Sequence, residues 1–274
     1  MIKEIIDKLV ALLAVSALLA SCSESELWQN PQTEARDGYI MLNFKTEIPA
    51  MQEVVTRAVD PDGGGVQDMT LFCFDSYGLF ISTVKAGVTV QKPGPGEMEG
   101  TFKAEVPENT RTIHFLANQN MDEFKEDSFR NKSESEVMAV LEGSSGRMIY
   151  WGRFACDAGN DSNIAEQMAT SGNSVKLIRN HARISVDNPD NNGHIVITGF
   201  AVCNTNAFGT VAPHHPKKGF DFTWPSSDDP FVTLPVNDAK MSDITDVTSS
   251  MNQYVFECEN SADAPVSVIL RGHL

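Results

Sequence analysis

Hydrophobic and polar residues alternate along much of the chain, in short runs rich in Val, Ile, Phe, Thr and Tyr that are separated by Gly, Pro, Asn and Asp. This pattern is typical of antiparallel strands. The alternation is clearest where Ile40, Leu42 and Phe44 recur at every second position, which predicts a strand with one face towards a core. The predicted strands cover residues 39–45, 53–58, 69–75, 79–85, 100–106, 112–117, 148–153, 175–187, 194–204, 254–259 and 266–271.

Local signals also predict one hairpin and one helix. The turn between the strands at 69–75 and 79–85 contains Asp75 and Gly78, whose backbones tolerate the angles that tight turns require. Ser133 is followed three residues later by Glu136, the spacing of a capping box, so a helix is predicted over residues 133–141. We therefore expect an all-β fold with minor helix.

The composition changes within residues 157–173, which are polar and small and lack strand-like alternation. We expect the domain boundary there, with an N-terminal β-sandwich domain over residues 37–160 and a C-terminal one over residues 173–274. Few residues follow the last apolar run at 266–270, which leaves the second domain short of strands for two layers. We therefore expect the second domain to be incomplete.

Residues 1–21 have the features of a lipoprotein signal peptide. Their apolar run at 9–20 would span about 18 Å at ~1.5 Å per helical residue, well short of the ~30 Å hydrocarbon layer. Small residues directly before Cys22 predict cleavage there and lipid attachment to Cys22, and residues 22–36 then form a linker. A conventional secretory signal and a buried helix remain as alternatives.

Charge restricts the partners. After removal of the signal, which holds two lysines and two acidic residues, the chain keeps its net charge of −16. Such a balance repels phosphate backbones and anionic lipid surfaces, so nucleic acid is excluded as a partner and membrane attachment must come from the lipid.

Four cysteines remain besides Cys22, and they could pair in three ways. Cys73 and Cys203 lie within apolar strand-like runs, where cysteine often behaves as a small buried hydrophobe, so free buried thiols are favoured. The other two are Cys156 and Cys258. Their spacing does not indicate a zinc site.

The sequence contains no recognisable catalytic set, so no enzymatic activity, cofactor or metal is predicted. Residues 60–65 lack the later ligands of an EF-hand calcium loop and are interpreted as a flexible turn. His214 and His215 are adjacent, and on an extended segment they point to opposite sides, which favours a solvated loop over a metal site.

Arg57 is the residue of most interest for processing. It lies in a β-prone run and precedes the flexible 60–65 turn, so a trypsin-like protease could reach the bond between Arg57 and Ala58. An ordinary surface arginine on an edge strand is the alternative.

Several segments, taken together, resemble the fimbrillins of Bacteroidetes, which are type V pilins, and their fimbrillin-like lipoprotein relatives. The resemblance covers nearly the whole mature chain. The matching segments are residues 19–22, 56–58, the hairpin at 71–80, 113–119, 149–152, 177–186 and 211–213.

The resemblance implies two tandem transthyretin-like β-sandwich domains on an exported lipoprotein at the outer membrane, exposed at the cell surface. In polymerising members a protease cuts after an arginine and removes the lipidated first strand, and Arg57 and Ala58 occupy the matching position. The displaced segment would be residues 22–57, including the strand with Ile40, Leu42 and Phe44. A strand from another pilin subunit would then fill the groove.

Two functions follow as hypotheses. The first is a structural subunit or anchor of a pilus (fimbrium) that assembles by strand exchange and supports adhesion. The family's donor strand is C-terminal and none is recognised here, which keeps an uncut, non-polymerising surface lipoprotein as the alternative. Such a protein would bind glycan or host protein, with Trp151, Trp224 and Tyr254 as stacking platforms, although these aromatics are more often core residues.

Overall fold

The computed structural model describes residues 35–47, 66–93, 98–122, 124–144, 148–184, 186, 196–214, 231–237, 244–246 and 253–273. Within these ranges the fold is all-β with little helix, which confirms the predicted class. The predicted strand at 53–58 and the 60–65 turn lie outside the described residues.

The first half of the chain contains most of the long strands. They are β1 (Tyr39–Glu47), β2 (Met69–Phe74), β3 (Phe80–Lys85), β4 (Gly87–Pro93), β5 (Met98–Pro107), β6 (Thr112–Ala117), a short 3-10 helix (Glu126–Phe129), α1 (Glu134–Met138), β7 (Glu142–Ser144), β8 (Tyr150–Ala155), α2 (Ile164–Thr170), β9 (Ser174–Lys176) and β10 (Ile178–Arg179).

The other described strands lie in the second half of the chain. They are β11 (His181–Ile184), β12 (Val196–Cys203), β13 (Phe208–Thr210), β14 (Thr245–Asp246), β15 (Gln253–Phe256) and β16 (Ser267–His273). They form small sheets, in which β11 pairs with β15, β12 lies between β14 and β16, and β13 pairs with β7.

Two larger sheets form a sandwich. The β1 sheet has the order β4-β5-β1-β9, and the central sheet has the order β10-β8-β6-β2-β3. Their facing side chains make the first core, in which Phe44 and Phe102 of the β1 sheet meet Phe115 of the central sheet. Cys73 lies in this core, where burial raises the pKa of its thiol to about 12. The four cysteines in the described ranges are all free thiols.

The central sheet is also covered on its outer face. Every residue of β2 and of β6 is buried, which explains why these strands read as nearly continuous apolar runs. The second core contains residues from this outer face and from α1, together with Val211, Ala212, Phe231 and Val232 from the second half of the chain. The two halves therefore share a hydrophobic core.

Local structure confirms the predicted hairpin and helix cap. Asp75 Oδ1 accepts hydrogen bonds from the backbone N–H groups of Tyr77 (2.8 Å) and Leu79 (3.0 Å), and Gly78 has a φ of 72°. Ser133 is the N-cap of α1, and its side chain and that of Glu136 form the expected capping box. The helix itself is shorter than predicted and ends at Met138.

Residues 157–173, where the domain boundary is predicted, contain a helix that the sequence pattern did not predict. Residues Ile164–Thr170 form α2, which is capped by Asn163 and Glu166 in a second capping box. Ile164, Ala165 and Met168 enter the first core, so the polar residues around the helix are its solvated face and its caps. The division of the chain into two domains remains a prediction, but α2 and β9 pack with the first sandwich.

The predicted strand at 175–187 is divided into three short strands, because the chain changes partner twice. β9 pairs with β1, β10 pairs with β8 of the central sheet, and β11 pairs with β15. The alternation of the sequence continues across these changes, so only the pairing reveals them. β4, β7, β13 and β14 were not predicted from the pattern, and the last three are only two or three residues long.

Candidate strand-exchange site

β1 is held along its length by main-chain hydrogen bonds. It pairs antiparallel with β5 from Tyr39 opposite Pro107 to Thr46 opposite Gly100. On its other side it pairs with β9 through Lys45 to Glu47 only, where the Lys45 N–H donates to the Asn173 carbonyl at 2.7 Å. Among the described strands, none pairs with that side of residues 39–44. Within the described part of the chain, β1 therefore pairs fully with β5 on one side and only at its C-terminal end on the other.

The inner face of β1 is fully built into the first core. Ile40, Leu42 and Phe44 are 5%, 1% and 0% exposed. The Phe44 ring stacks on Phe102 at 5.5 Å and meets the edge of Phe115 at 5.0 Å. The alternation recognised in the sequence is thus an inward-facing row that contacts both layers of the sandwich.

The fourth position of this row differs chemically. Thr46 is 0% exposed, and its hydroxyl oxygen has no hydrogen-bond partner among the described residues. A Cβ added to the neighbouring Gly100 would lie 2.5 Å from the Phe102 ring and 3.3 Å from the Thr46 hydroxyl. This end of the row therefore has space for a small side chain only.

Polar side-chain contacts stabilise the two ends of β1. Arg36 donates from Nε to Glu105 Oε2 at 2.7 Å, and its guanidinium lies 4.2 Å from the centre of the Tyr39 ring. At the other end the Ser174 hydroxyl donates to Glu47 Oε1 at 2.6 Å. Arg36 is 66% exposed, so its ion pair contributes little, about 0–1 kcal/mol. The apolar row holds the strand, and the polar contacts fix its register.

The free energy contributed by burial of this apolar row determines how strongly loss of β1 would destabilise the fold. Burial of an Ile, Leu or Phe side chain contributes roughly 1.5–3 kcal/mol, so the three together contribute roughly 5–9 kcal/mol. This is comparable with the whole stability of a typical domain, about 5–15 kcal/mol. Loss of β1 is therefore expected to destabilise the sandwich strongly.

The remaining residues of the predicted processing site lie outside the described ranges. These are Cys22, the predicted lipidation site, and Arg57 and Ala58, the predicted cleavage site. Their roles remain predictions. Within the described ranges, no helix is long and apolar enough to span a membrane.

The aromatic residues considered as stacking platforms do not form an exposed set. Trp151 is 0% exposed and lies in the second core, so the core interpretation is confirmed and the platform interpretation is wrong for this residue. Tyr254 is partly buried against the first core, and Trp224 lies outside the described residues.

A buried polar cluster was missed by the sequence analysis. The Trp151 Nε1–H donates to His114 Nδ1 at 3.1 Å, so the ring proton of His114 is on Nε2, which donates to Glu134 Oε2 at 2.6 Å. Arg153 donates to both oxygens of Glu134, at 2.7 Å and 3.1 Å. His114 lies opposite Arg153 in the pairing of β6 with β8, a juxtaposition that the sequence cannot give without the register.

The pKa shifts and the burial of these side chains indicate that the cluster has a structural role. Burial lowers the pKa of His114, and its bond to Glu134 offsets this only in part. For Glu134, burial alone would raise the pKa, but hydrogen bonds from His114 and Arg153 lower it to about 2. The side chains of His114, Arg153 and Glu134 are only 0%, 5% and 13% exposed, and Phe231 stacks on the His114 ring at 5.7 Å. The cluster thus joins the central sheet to the second half of the chain.

Metal binding finds no support in the described ranges, where no group of three or more His, Cys, Asp or Glu side chains could hold an ion. His214 hydrogen-bonds through Nδ1 to the Val232 carbonyl at 2.5 Å, while His215 and the 60–65 turn lie outside these ranges.

The last described strand, β16, contrasts with β1. It pairs with β12 at the edge of its sheet, and all seven of its residues are exposed, on both faces. Val268, Ile269 and Leu270 are 46%, 44% and 52% exposed. An apolar edge strand with both faces open is unusual, because such edges template pairing with other chains.

Comparison with known proteins finds distant likenesses only. No protein-family model matches the sequence, and no curated protein matches it. Among solved structures, the chain is similar to a candidate cell adhesion protein from Parabacteroides distasonis ATCC 8503, with 14% identity and a TM-score of 0.47 over 85% of this chain and 76% of the other.

The chain is also similar to the tip fimbrial protein Mfa3 from Porphyromonas gingivalis, solved with a C-terminal truncation. The identity is 13% and the TM-score 0.46, over 81% of this chain and 71% of the other. At these values the role of neither protein is transferred to this chain.

Proposed function

We propose that this chain is a structural subunit or anchor of a surface fimbrium that supports adhesion, and that it is joined to its neighbours by strand exchange, in which a strand of another copy takes the place of β1. The burial and pairing of β1 are the main support for the proposal. β1 is an N-terminal strand with a complete buried apolar row, paired with β5 throughout and with β9 at one end only.

Loss of β1 would leave a groove between β5 and β9. One wall would be β5, with its unpaired backbone groups and the buried side chains of Phe102, Ala104 and Val106, and the floor would include Phe115 of the central sheet, which contacts Phe44. The central sheet would keep the second core on its outer face. The second core contains no residue of β1, so we expect it to hold part of the fold together until a replacement strand pairs with β5.

β16 of a second copy has the pattern to fill this groove. Val266, Val268, Leu270 and Gly272 repeat the spacing of Ile40, Leu42, Phe44 and Thr46. Leu270 is smaller than Phe44, so β1 is the better occupant until it is removed. Gly272 suits the narrow end, because it would replace the buried, unsatisfied hydroxyl of Thr46. Because the side chains of β16 are exposed, its release from β12 would give up main-chain pairing but little buried apolar surface.

The sequence supports the rest of the proposal. Lipid on Cys22 would hold the uncut subunit at the outer membrane, with residues 22–36 as a linker to the fold. Cleavage between Arg57 and Ala58 would separate the lipidated segment, with β1, from the remaining sandwich. An uncut chain would stay anchored, so the same sequence can serve as anchor or as polymer subunit.

Limited digestion at Arg57 tests strand exchange. Trimmed wild-type protein should give an SDS-resistant ladder in unboiled samples, because a buried strand joins each pair of subunits. The Arg57→Gln variant keeps β1 and should stay monomeric after the same treatment. Leu270→Asp should be trimmed normally yet form no ladder, and since Leu270 is 52% exposed its fold should be preserved. Trimmed wild-type protein that remains monomeric at high concentration would overturn the proposal.

Lipid attachment is tested separately. Cells fed an alkyne-labelled fatty acid should label the wild-type protein and leave Cys22→Ser unlabelled, with Cys258→Ser as the matched control that keeps the label. An unlabelled wild-type protein would show that the anchor is wrong.

A further inference from the structure

His114 of β6 is enclosed by aromatic rings where the two halves of the chain meet. Its side chain is 0% exposed. The centre of its ring lies 5.3 Å from that of Phe74, 5.6 Å from that of Trp151 and 5.7 Å from that of Phe231. Phe74 and Trp151 belong to the central sheet, whereas Phe231 belongs to the second half of the chain. The imidazole can therefore reach solvent only if a neighbouring side chain moves.

The neutral ring of His114 uses both of its nitrogens. Nδ1 accepts from the Trp151 Nε1–H at 3.1 Å, and the Nε2–H donates to Glu134 Oε2 at 2.6 Å. A protonated imidazole carries a hydrogen on each nitrogen, and the indole nitrogen can only donate. Protonation in place would therefore set the Nδ1–H of His114 against the Trp151 N–H and break this bond.

The charged groups that face His114 do not reverse this effect. Burial is the largest influence and lowers the pKa of His114 below its usual 6.5, Glu134 of α1 raises it, and Arg153 of β8 lowers it. From β2 and from the second half of the chain, the neighbours are the rings of Phe74 and Phe231. A solvated ring thus takes up a proton more readily than the buried one, so acid favours an open form.

Phe231 is the ring neighbour that lies outside the described strands. β6 pairs with β2 and with β8 along their lengths, which holds Phe74 and Trp151 in the central sheet. The Phe231 N–H donates to the His214 carbonyl at 2.9 Å, and the Val232 carbonyl accepts from His214 Nδ1. Movement of Phe231 would therefore expose His114 and leave the pairing of the central sheet intact.

We propose that this contact is an acid-sensitive joint, in which uptake of one proton by His114 releases Phe231 and Val232 from the outer face of the central sheet. The first core contains no residue of the segment 211–232, so we expect the sandwich and β1 to stay assembled. The bond from His214 Nδ1 is not the sensitive element, because that nitrogen is a donor in both protonation states. The joint is independent of strand exchange.

The chemistry of one proton sets the expected pH dependence. A solvated histidine has a pKa of about 6.5, so below that pH the open form gains about tenfold in population for each pH unit. The gain continues until the buried ring itself can be protonated, which its lowered pKa delays. A slope of one proton is therefore the signature of the joint.

Hydrogen exchange of the full chain, read by mass spectrometry, tests this inference. The protection factor of the Phe231 amide, corrected for the intrinsic exchange rate at each pH, should fall about tenfold per pH unit between about pH 6 and pH 4. Phe44 in β1 reports on the sandwich. Its amide should be at least about tenfold better protected than that of Phe231 at each pH, because the joint opens without unfolding of the first core.

His114→Gln is the informative variant, because glutamine keeps a donor and an acceptor but takes up no proton in this range. The slope at Phe231 should disappear. His181→Phe is the matched control, since it removes another histidine whose pKa burial lowers, to about 4, and it should keep the slope.

Should His114→Gln fail to fold, wild-type protein with ¹⁵N-labelled tryptophan provides a second measurement. Exchange of the Trp151 indole proton should show the same slope, because its acceptor is lost in the open form. The signal is identified as the one that persists in both Trp28→Phe and Trp224→Phe.

Several results would overturn the proposal. They are a Phe231 protection factor that does not depend on pH, equal protection of Phe231 and Phe44, a slope that persists in folded His114→Gln, and a slope that is lost in His181→Phe. Exchange of the Trp151 indole proton that is independent of pH would also overturn it.

Discussion

At the residue scale, burial decides which charged groups matter. Glu134 is 13% exposed and is shared by His114 and Arg153, whereas Asp127 is 91% exposed and pairs with the exposed Arg130. Both acids pair with an arginine, at 2.7 Å and 3.1 Å from two nitrogens for Glu134 and at 3.1 Å from one nitrogen for Asp127. Removing one partner of the buried pair leaves a charged group that water does not solvate, whereas the exposed pair is solvated in either case.

Glu134→Ala is expected to lower the free energy of unfolding by about 3–5 kcal/mol, because it removes the buried carboxylate that accepts hydrogen bonds from both His114 and Arg153. Asp127→Ala is the matched control and should change it by no more than about 1 kcal/mol. Urea denaturation of both variants and the wild type measures the difference. Similar losses in both variants would contradict the structural role of the cluster.

Glycine at position 209 is required for a different reason. Gly209 lies opposite Gly143 in the pairing of β13 with β7, and a Cβ at Gly209 would lie 2.4 Å from the Phe256 ring. The Phe256 ring therefore packs directly on the backbone of β13. Sequence pattern alone gives no reason for glycine at this position.

Gly209→Ala should destabilise the protein by about 1–3 kcal/mol through overpacking against Phe256. Gly87→Ala is the comparison, because its Cβ would meet only the Lys103 carbonyl oxygen at an ordinary 3.8 Å. Thermal unfolding should separate the two variants. Equal melting temperatures would show that the Phe256 ring can shift to accommodate the methyl group without a loss of stability.

At the element scale, β1 and β16 are opposites. Both show apolar residues at alternate positions, but β1 is buried on its inner face and β16 is exposed on both faces. The alternation predicted both strands. Their burial depends on whether a second layer lies over them, which the pattern of one strand cannot show.

Phe44→Ala should lower the free energy of unfolding by about 3–5 kcal/mol, since it removes the ring that contacts Phe102 and Phe115. The next residue provides the control, because Lys45 points to the exposed side, and Lys45→Ala should have an effect within about 0.5 kcal/mol. Chemical denaturation of the uncut chain measures both. A small effect of Phe44→Ala would mean that β1 contributes little to the sandwich.

At the scale of the whole molecule, the second core makes the two halves dependent on each other. Val211, Ala212, Phe231 and Val232 cover the outer face of the central sheet, and the His114 cluster lies beneath them. The titration of His114 and Glu134 is therefore coupled to the stability of the complete fold.

Stability should fall as the pH is lowered, in two stages. The pKa values of His114 and His181 are below their usual 6.5, with His181 at about 4, so the unfolded chain takes up protons first. Their contribution is complete above about pH 6.5 and is lost as the pH falls from there towards the folded values. The pKa of Glu134 is about 2 instead of 4.5, so its contribution is lost between those values.

Urea midpoints measured between pH 7.5 and pH 3 test this behaviour. His181→Phe should reduce the decline between about pH 6.5 and pH 4, because one of the two histidines no longer titrates. A midpoint that stays constant down to pH 4 would contradict the buried neutral state of both histidines.

The sequence by itself determined what depends on neighbours along the chain. Alternation gave the all-β class and the inward row of Ile40, Leu42 and Phe44, and side-chain-to-backbone bonding within a few residues gave the Asp75 turn and the Ser133 cap. These features are local because their hydrogen bonds and periodicity are complete within one segment.

Tertiary structure decided what depends on partners distant in sequence. It placed α2 in the first core, divided residues 174–184 among three partners, and covered the central sheet on both faces. It also brought His114, Glu134 and Arg153 together and left β16 exposed. The physical reason is that burial and pairing are properties of two surfaces in contact, and a sequence pattern describes only one of them.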